Sequence, residues 1–137
     1  MSGETNLSKL IEGMSPKLHQ GAYVFVALQD TSQIARSETF AEIKESEGTT
    51  LVLEKNKADE LGLSYEFIAS WITLIIHSSL EAVGLTAAFS GELAKHGISC
   101  NVIAGYYHDH PFVPKPDEEK AMEVLLAMST RQSDTTT

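Results

Sequence analysis

The run from Phe67 to Ile76, FIASWITLII, restricts the fold more than any other feature. It is rich in β-branched and aromatic residues, carries no charge, and stops well short of the roughly 20 apolar residues that a membrane span needs. Such a run reads as a strand buried on both faces, and the chain must supply cover for each side. After a polar turn, His77-Ser78-Ser79, the residues Ala82, Leu85, Phe89 and Leu93 recur at helical spacing and put one apolar stripe down a helix. Gly97 stands where a left-handed C-terminal cap belongs, so this helix is expected to end near His96. Ile98, Cys100, Val102 and Ala104 then alternate in strand period, Gly105 to His110 reads as a hairpin turn, and Phe112-Val113 is a short strand running into Pro114. Asp117 to Met128, with Ala121, Leu125 and Met128 on one face, predicts a second helix. The order β-α-β-β-α is most of a ferredoxin-like split βαβ unit.

The segment HSSLEAVGLTAAFSGELAKHGISCNVIAGYYHDHPFVP resembles the ACT domains of amino-acid sensors. Its likeness is to small bacterial proteins with tandem ACT-like domains, related to the CASTOR arginine sensors and to the regulatory ends of aspartate kinases. The likeness is closest over residues 66 to 130. It implies an α/β (α+β), ferredoxin-like architecture and a regulatory rather than catalytic protein.

At 137 residues with 42% hydrophobic content, the chain can bury one ordinary core or two small subdomains sharing one. The N-terminus MSGETNLSKL lacks a basic segment followed by an apolar one, and Cys100 is the single cysteine, so no intramolecular disulfide can form. Both features lead us to expect a cytoplasmic protein. Ten basic residues against nineteen acidic ones give a net charge of −9, which repels a phosphate backbone and argues against nucleic acid as a partner.

Leu7, Leu10, Ile11 and Met14 predict a short amphipathic helix, capped by Thr5 or Asn6 and closed by Pro16, packing as a lid or brace. Ala22 to Leu28 reads as a buried strand. Phe40 to Lys44 and Thr50 to Glu54 read as a hairpin joined through Glu45-Ser46-Glu47-Gly48. Asn56 offers an N-cap and Gly62 a stop for a short helix between them. This half resembles a degenerate ACT unit without its first helix. The expected division is therefore residues 1–62 as a degenerate ACT-like half, 63–130 as an ACT-like domain, and 131–137, RQSDTTT, as a disordered tail with no apolar residue. The second half lacks a fourth strand of its own. Its open edge should be covered by a strand from the first half, by a partner subunit, or by both.

Candidate chemistry lies at the turn after the central strand. A helix beginning there presents free backbone N–H groups and the positive end of its dipole, a setting suited to a carboxylate. Ser78, Ser79 and Glu81 fit that use, and they fit plain helix capping equally. Gly84 and Gly91, read as helical, would each cost about 0.5–1 kcal/mol relative to alanine, which predicts close approach of backbone or ligand at those points. The ACT resemblance implies a free amino acid held by the loop and first helical turn together with a strand facing them across a domain or subunit interface. Carried onto this sequence, it implicates His77, Ser78, Ser79, Glu81, Val83, Gly84 and Leu85, with Asn101 and Ile103 as strand partners, and Glu81 could meet the ligand's amino group. The same resemblance implies a homo-oligomer.

Other chemistries rank lower. His108 and His110 could join His77 at a metal, but HDH falls where a hairpin turn is expected, and the sequence carries no Cys/His framework. No metal or other cofactor is therefore expected. Ser78 and Ser79 beside His77 lack a nucleophile elbow. Cys100 alternates with apolar neighbours as a small core residue. The glycines match no phosphate-binding loop, and Trp71 reads as core. The leading expectation is a non-catalytic sensor of an amino acid or similar small carboxylate. The other is a ligand-free interaction module accessory to an amino-acid enzyme or transporter.

Overall fold

The computed structural model describes residues 6–76 and 83–136, the last six of them as backbone only. The chain divides into two compact units, residues 20–70 and residues 1–19 with 71–137.

In the first of these, β2 (Tyr23–Leu28), β3 (Thr39–Glu45), β4 (Gly48–Glu54) and the start of β5 (Ile68–Ile75) form a sheet in the order β3-β4-β2-β5. The hairpin β3-β4 turns at Gly48, whose φ of 152° is one that side-chain-bearing residues rarely adopt. Val24 and Val26 of β2 lie directly across from Leu53 and Leu51 of β4, and these four with Ile34 and Ala58 make the buried cluster. Ala58 comes from a short helix, α2 (Lys55–Glu60), which stops before Gly62 at φ 69°. Its N-cap is Glu54 without a side-chain bond, so Asn56 is the second helical residue and not the cap that its type suggested. Between β2 and β3 the chain makes only a 3-10 turn, Arg36–Glu38, where a full ACT unit carries a helix.

In the second unit, three helices supply the cover that the β5 run demands. They are α1 (Leu7–Glu12), α3 (Leu85–Lys95) and α4 (Glu118–Thr136). Asn6, one of the two caps the sequence offered, caps α1 by accepting from the Lys9 N–H at 3.1 Å. Leu85, Phe89 and Leu93 of α3 and Ala121, Val124, Leu125 and Met128 of α4 join Leu10, Ile11 and Met14 in one buried cluster with Ile72, Leu74, Ile76 and Val113. Apart from Ala82, which lies outside the described residues, the stripes read from periodicity on α3 and α4 are the buried ones. Gly97, at φ 73°, ends α3, and the Ile98 N–H reaches back to the Leu93 carbonyl at 3.0 Å. The backbone of α4 runs on to Thr136, past the point where the apolar pattern stops and a disordered tail was expected.

The missing fourth strand is β1 (Ser15–Leu18), antiparallel to the later part of β5 from Ser15 opposite Ile75 to Leu18 opposite Ile72. With β6 (Asn101–Ala104) and β7 (Asp109–Pro114) the order in this unit is β1-β5-β7-β6. Pro16 therefore sits within an outer strand, where its missing N–H is tolerated. The cover for the open edge comes from the N-terminal part of the same chain.

Candidate functional site

β5 ends at Ile75, and the chain re-enters the described region at Val83. His77, Ser78, Ser79 and Glu81 lie outside the described residues. Val83 is 83% exposed, whereas Leu85 is 4% exposed and belongs to the core cluster, so only its backbone can meet a ligand. Gly84 is not inside the helix. It is the N-cap of α3, left-handed at φ 92° and ψ −8°, with no side-chain capping bond. Its carbonyl accepts from the Ala88 N–H at 2.9 Å, and the N–H groups of the first turn before Ala88 are those that helix geometry leaves without an intrahelical acceptor. A methyl group on Gly84 would lie 3.4 Å from Leu7 Cδ2 of α1, so α1 braces the start of α3. Gly91 is helical, and a methyl group there would meet nothing within 4 Å, so its presence marks no close approach.

These observations reverse the outcome that a helical Gly84 would imply. Alanine would have to adopt a left-handed backbone, at a cost of roughly 1–2 kcal/mol, in place of gaining helix propensity. Gly84→Ala should lower stability by about that amount in denaturant unfolding, whether or not a ligand binds.

Asn101 and Ile103 lie opposite Phe112 and His110 across the β6-β7 pair, so these four share a sheet face. Val113 belongs to the helix-covered core and Val102 packs against it, which puts Asn101 and Ile103 on the other face. One chain therefore does not bring these two residues together with Val83 and Gly84.

That second face carries a polar and aromatic cluster. The expected turn at HDH is displaced toward its N-terminal side. Gly105 N–H donates to the His108 carbonyl at 2.9 Å, and Asp109 and His110 already belong to β7. Trp71 Nε1–H donates to His110 Nδ1 at 3.1 Å, Thr73 Oγ1 lies 3.0 Å from the same nitrogen, and His19 Nε2 lies 2.7 Å from Thr73 Oγ1. The His19 ring stacks on Trp71 with centroids 3.6 Å apart, and Phe112 stacks on the indole at 6.2 Å. A methyl group on Gly105 would fall 3.2 Å from His110 Nε2, so glycine leaves room for that ring. Sequence reasoning assigned Trp71 to the core and His110 to a turn. The signal it could have used is the alternation of Trp71 and Thr73 with Ile72 and Leu74, which aims the first pair away from the helices.

Burial pushes the Cys100 thiol up to about 11, the behaviour of a small core residue rather than a nucleophile. Among the described residues no three His, Cys, Asp or Glu side chains converge as a metal site would require.

Residues 2–70 match a family model described as ACT domain, and residues 66–127 match a second model of the same description. The chain belongs to the ACT domain family. Its two ACT domains have the ferredoxin-like fold, and structural neighbours include aspartate kinases, which carry regulatory ACT domains. A Vibrio cholerae protein of unknown function, described as a possible transport protein, is 49% identical with a TM-score of 0.82 over 90% of this chain and 95% of its own. An Agrobacterium tumefaciens protein shares the fold at 15% identity and TM-score 0.64, over 85% of this chain and 89% of its own. Clostridium acetobutylicum aspartate kinase, described as an allosteric enzyme, shares it at 12% identity and TM-score 0.61; the match covers 87% of this chain and 34% of the kinase. No functionally curated protein matches the chain. Membership of the family points to a regulatory, small-ligand-binding role for this ACT protein.

Proposed function

We propose that this ACT protein is a non-catalytic sensor that binds a free amino acid, or a similar small carboxylate, at the N-terminus of α3. The observation that carries the reading is Gly84, which starts an 11-residue helix in a left-handed conformation with no capping side chain. Gly84 itself offers no capping side chain, and first-turn N–H groups with the positive dipole end suit an anion. His77, Ser78, Ser79 and Glu81 precede that turn in sequence, and Val83 stands exposed beside it. In this reading Asn101 and Ile103 come from a second copy, since within one chain they face away from the helices. The sensor is then a homo-oligomer whose ligand sits between copies and shifts their population of states. A cytoplasmic location fits a sensor of free amino acids, and among the described residues no helix is long and apolar enough to cross a membrane.

The test is a thermal-shift screen against the twenty amino acids. A ligand at 100 times its dissociation constant should stabilise the protein by about 2.7 kcal/mol. Val83→Glu places a carboxylate beside the site at a fully solvated position and should weaken binding of the hit while leaving the unliganded melting temperature nearly unchanged. Light scattering on the same sample should give a mass above the 14.9 kDa of one chain. A screen in which no amino acid stabilises the protein, or a Val83→Glu protein that binds as tightly as the parent, removes the site from this turn. A second reading, a ligand-free module accessory to an amino-acid enzyme or transporter, is favoured by the description of the Vibrio cholerae relative as a possible transport protein, and a blank screen with an intact oligomer would leave it in place.

A further inference from the structure

We propose that His110, Trp71 and Thr73 form a proton-operated latch between β5 and β7, in which His110, on taking up a proton, gives up its bond from Trp71 and becomes a donor to Thr73. The indole N–H is a donor only, so its 3.1 Å bond to His110 Nδ1 requires that nitrogen to carry a lone pair, and neutral His110 must hold its hydrogen on Nε2. Adding a proton puts a second N–H at Nδ1, facing the indole donor. Two donors cannot share that contact. Thr73 Oγ1, 3.0 Å from the same nitrogen, can accept the new N–H, and its own hydroxyl hydrogen can be donated to His19 Nε2 at 2.7 Å. Each protonation state therefore has its own set of bonds. What changes between them is whether the Trp71 indole N–H is bonded to His110 of β7.

The charged and titratable groups around the latch are known for each strand among the described residues. β1 with its extension brings Lys17 and His19, and β7 with its approach brings His108 and Asp109. On this face, within this unit, β5 brings Trp71, Thr73 and Ile75, and β6 brings Asn101 and Ile103, none of which titrates. His77, beyond the end of β5, lies outside the described residues. Burial first, then the neighbouring His108, holds His110 below the ordinary imidazole value of 6.5, while Asp109 opposes this. Burial first, then Lys17 and His110, holds His19 below it as well. Below pH 6.5 the unfolded chain thus binds protons before the folded one. Stability is fully present above that value and falls as pH drops toward the folded values. Burial raises Asp109, so in its own, more acid window the sign is opposite.

Trp71 is the single tryptophan, so its emission reads the latch directly. Between about pH 7.5 and 5, spanning the ordinary imidazole value, emission should lose intensity and shift while far-UV circular dichroism stays constant, with a midpoint below 6.5. His110→Asn supplies an acceptor oxygen close to where Nδ1 lies and cannot take the proton, so it should keep the neutral-pH spectrum and lose the response. Imidazole nitrogen NMR on the unmodified protein should find His110 as the Nε2–H tautomer at neutral pH, titrating with the tryptophan signal. The proposal is overturned by a flat emission profile, by a response unchanged in His110→Asn, by loss of circular dichroism in step with emission, or by an Nδ1–H tautomer at neutral pH.

Discussion

Phe89→Ala should destabilise this ACT protein by about 3–5 kcal/mol, the range for removing a fully buried aromatic ring. Phe89 is 0% exposed on α3, midway between Leu85 and Leu93, in the cluster that joins α1, α3, α4, β5 and β7. Helices on several sides limit how far the walls can close, so the loss includes a cavity term as well as the transfer of the ring from water. Against the roughly 5–15 kcal/mol that holds a typical domain folded, this is a large share. Urea unfolding followed by circular dichroism measures it. The exposed Thr86→Ala on the same helix should stay within about 0.5 kcal/mol. A Phe89→Ala loss no greater than that of Thr86→Ala would mean that α3 does not pack on β5 through this face.

Leu53→Ala should cost about 2–3 kcal/mol, toward the lower end of the range of about 2–5 for buried leucines. Leu53 is 0% exposed and lies opposite Val24 on β2, in the smaller cluster of residues 20–70. Leu28, Leu61, Leu63 and Tyr65 at its margin are only partly buried, so they can move inward and reduce the void. The same urea experiment measures it. A loss as large as that of Phe89→Ala would mean that the margin does not relax. Both losses exceed the roughly 1–2 kcal/mol expected of Gly84→Ala, which is backbone strain without a cavity.

Local periodicity carried the central part of the fold. The apolar run of β5, the Leu85-Phe89-Leu93 stripe, the Gly97 stop and the Ala121-Leu125-Met128 stripe could be read directly, because each is a repeat within one element set by 2.0- or 3.6-residue geometry. The ACT resemblance rested on the same stretch, and both family matches agree with it. The starts of elements were less legible. Gly84 reads as a poor helical residue in a one-dimensional pattern, and only the backbone path shows it as the left-handed residue from which α3 begins.

What tertiary structure alone decided are the pairings between distant segments. Nothing in Ser15-Pro16-Lys17-Leu18 alternates strongly enough to mark a strand; these residues are a strand because β5 offers them an edge, with Ser15 opposite Ile75. The need for that strand was visible in the sequence, and its source was not. The same holds for the chain from His19 through Thr73 and His110 to Trp71, whose members come from β5, β7 and the residue that follows β1, and meet because those strands are neighbours. A sequence fixes which residues can bury, turn or donate, since those are properties of single side chains and short repeats. It does not fix which donor meets which acceptor, because that depends on strand order, and strand order is chosen by burying all the apolar faces at once.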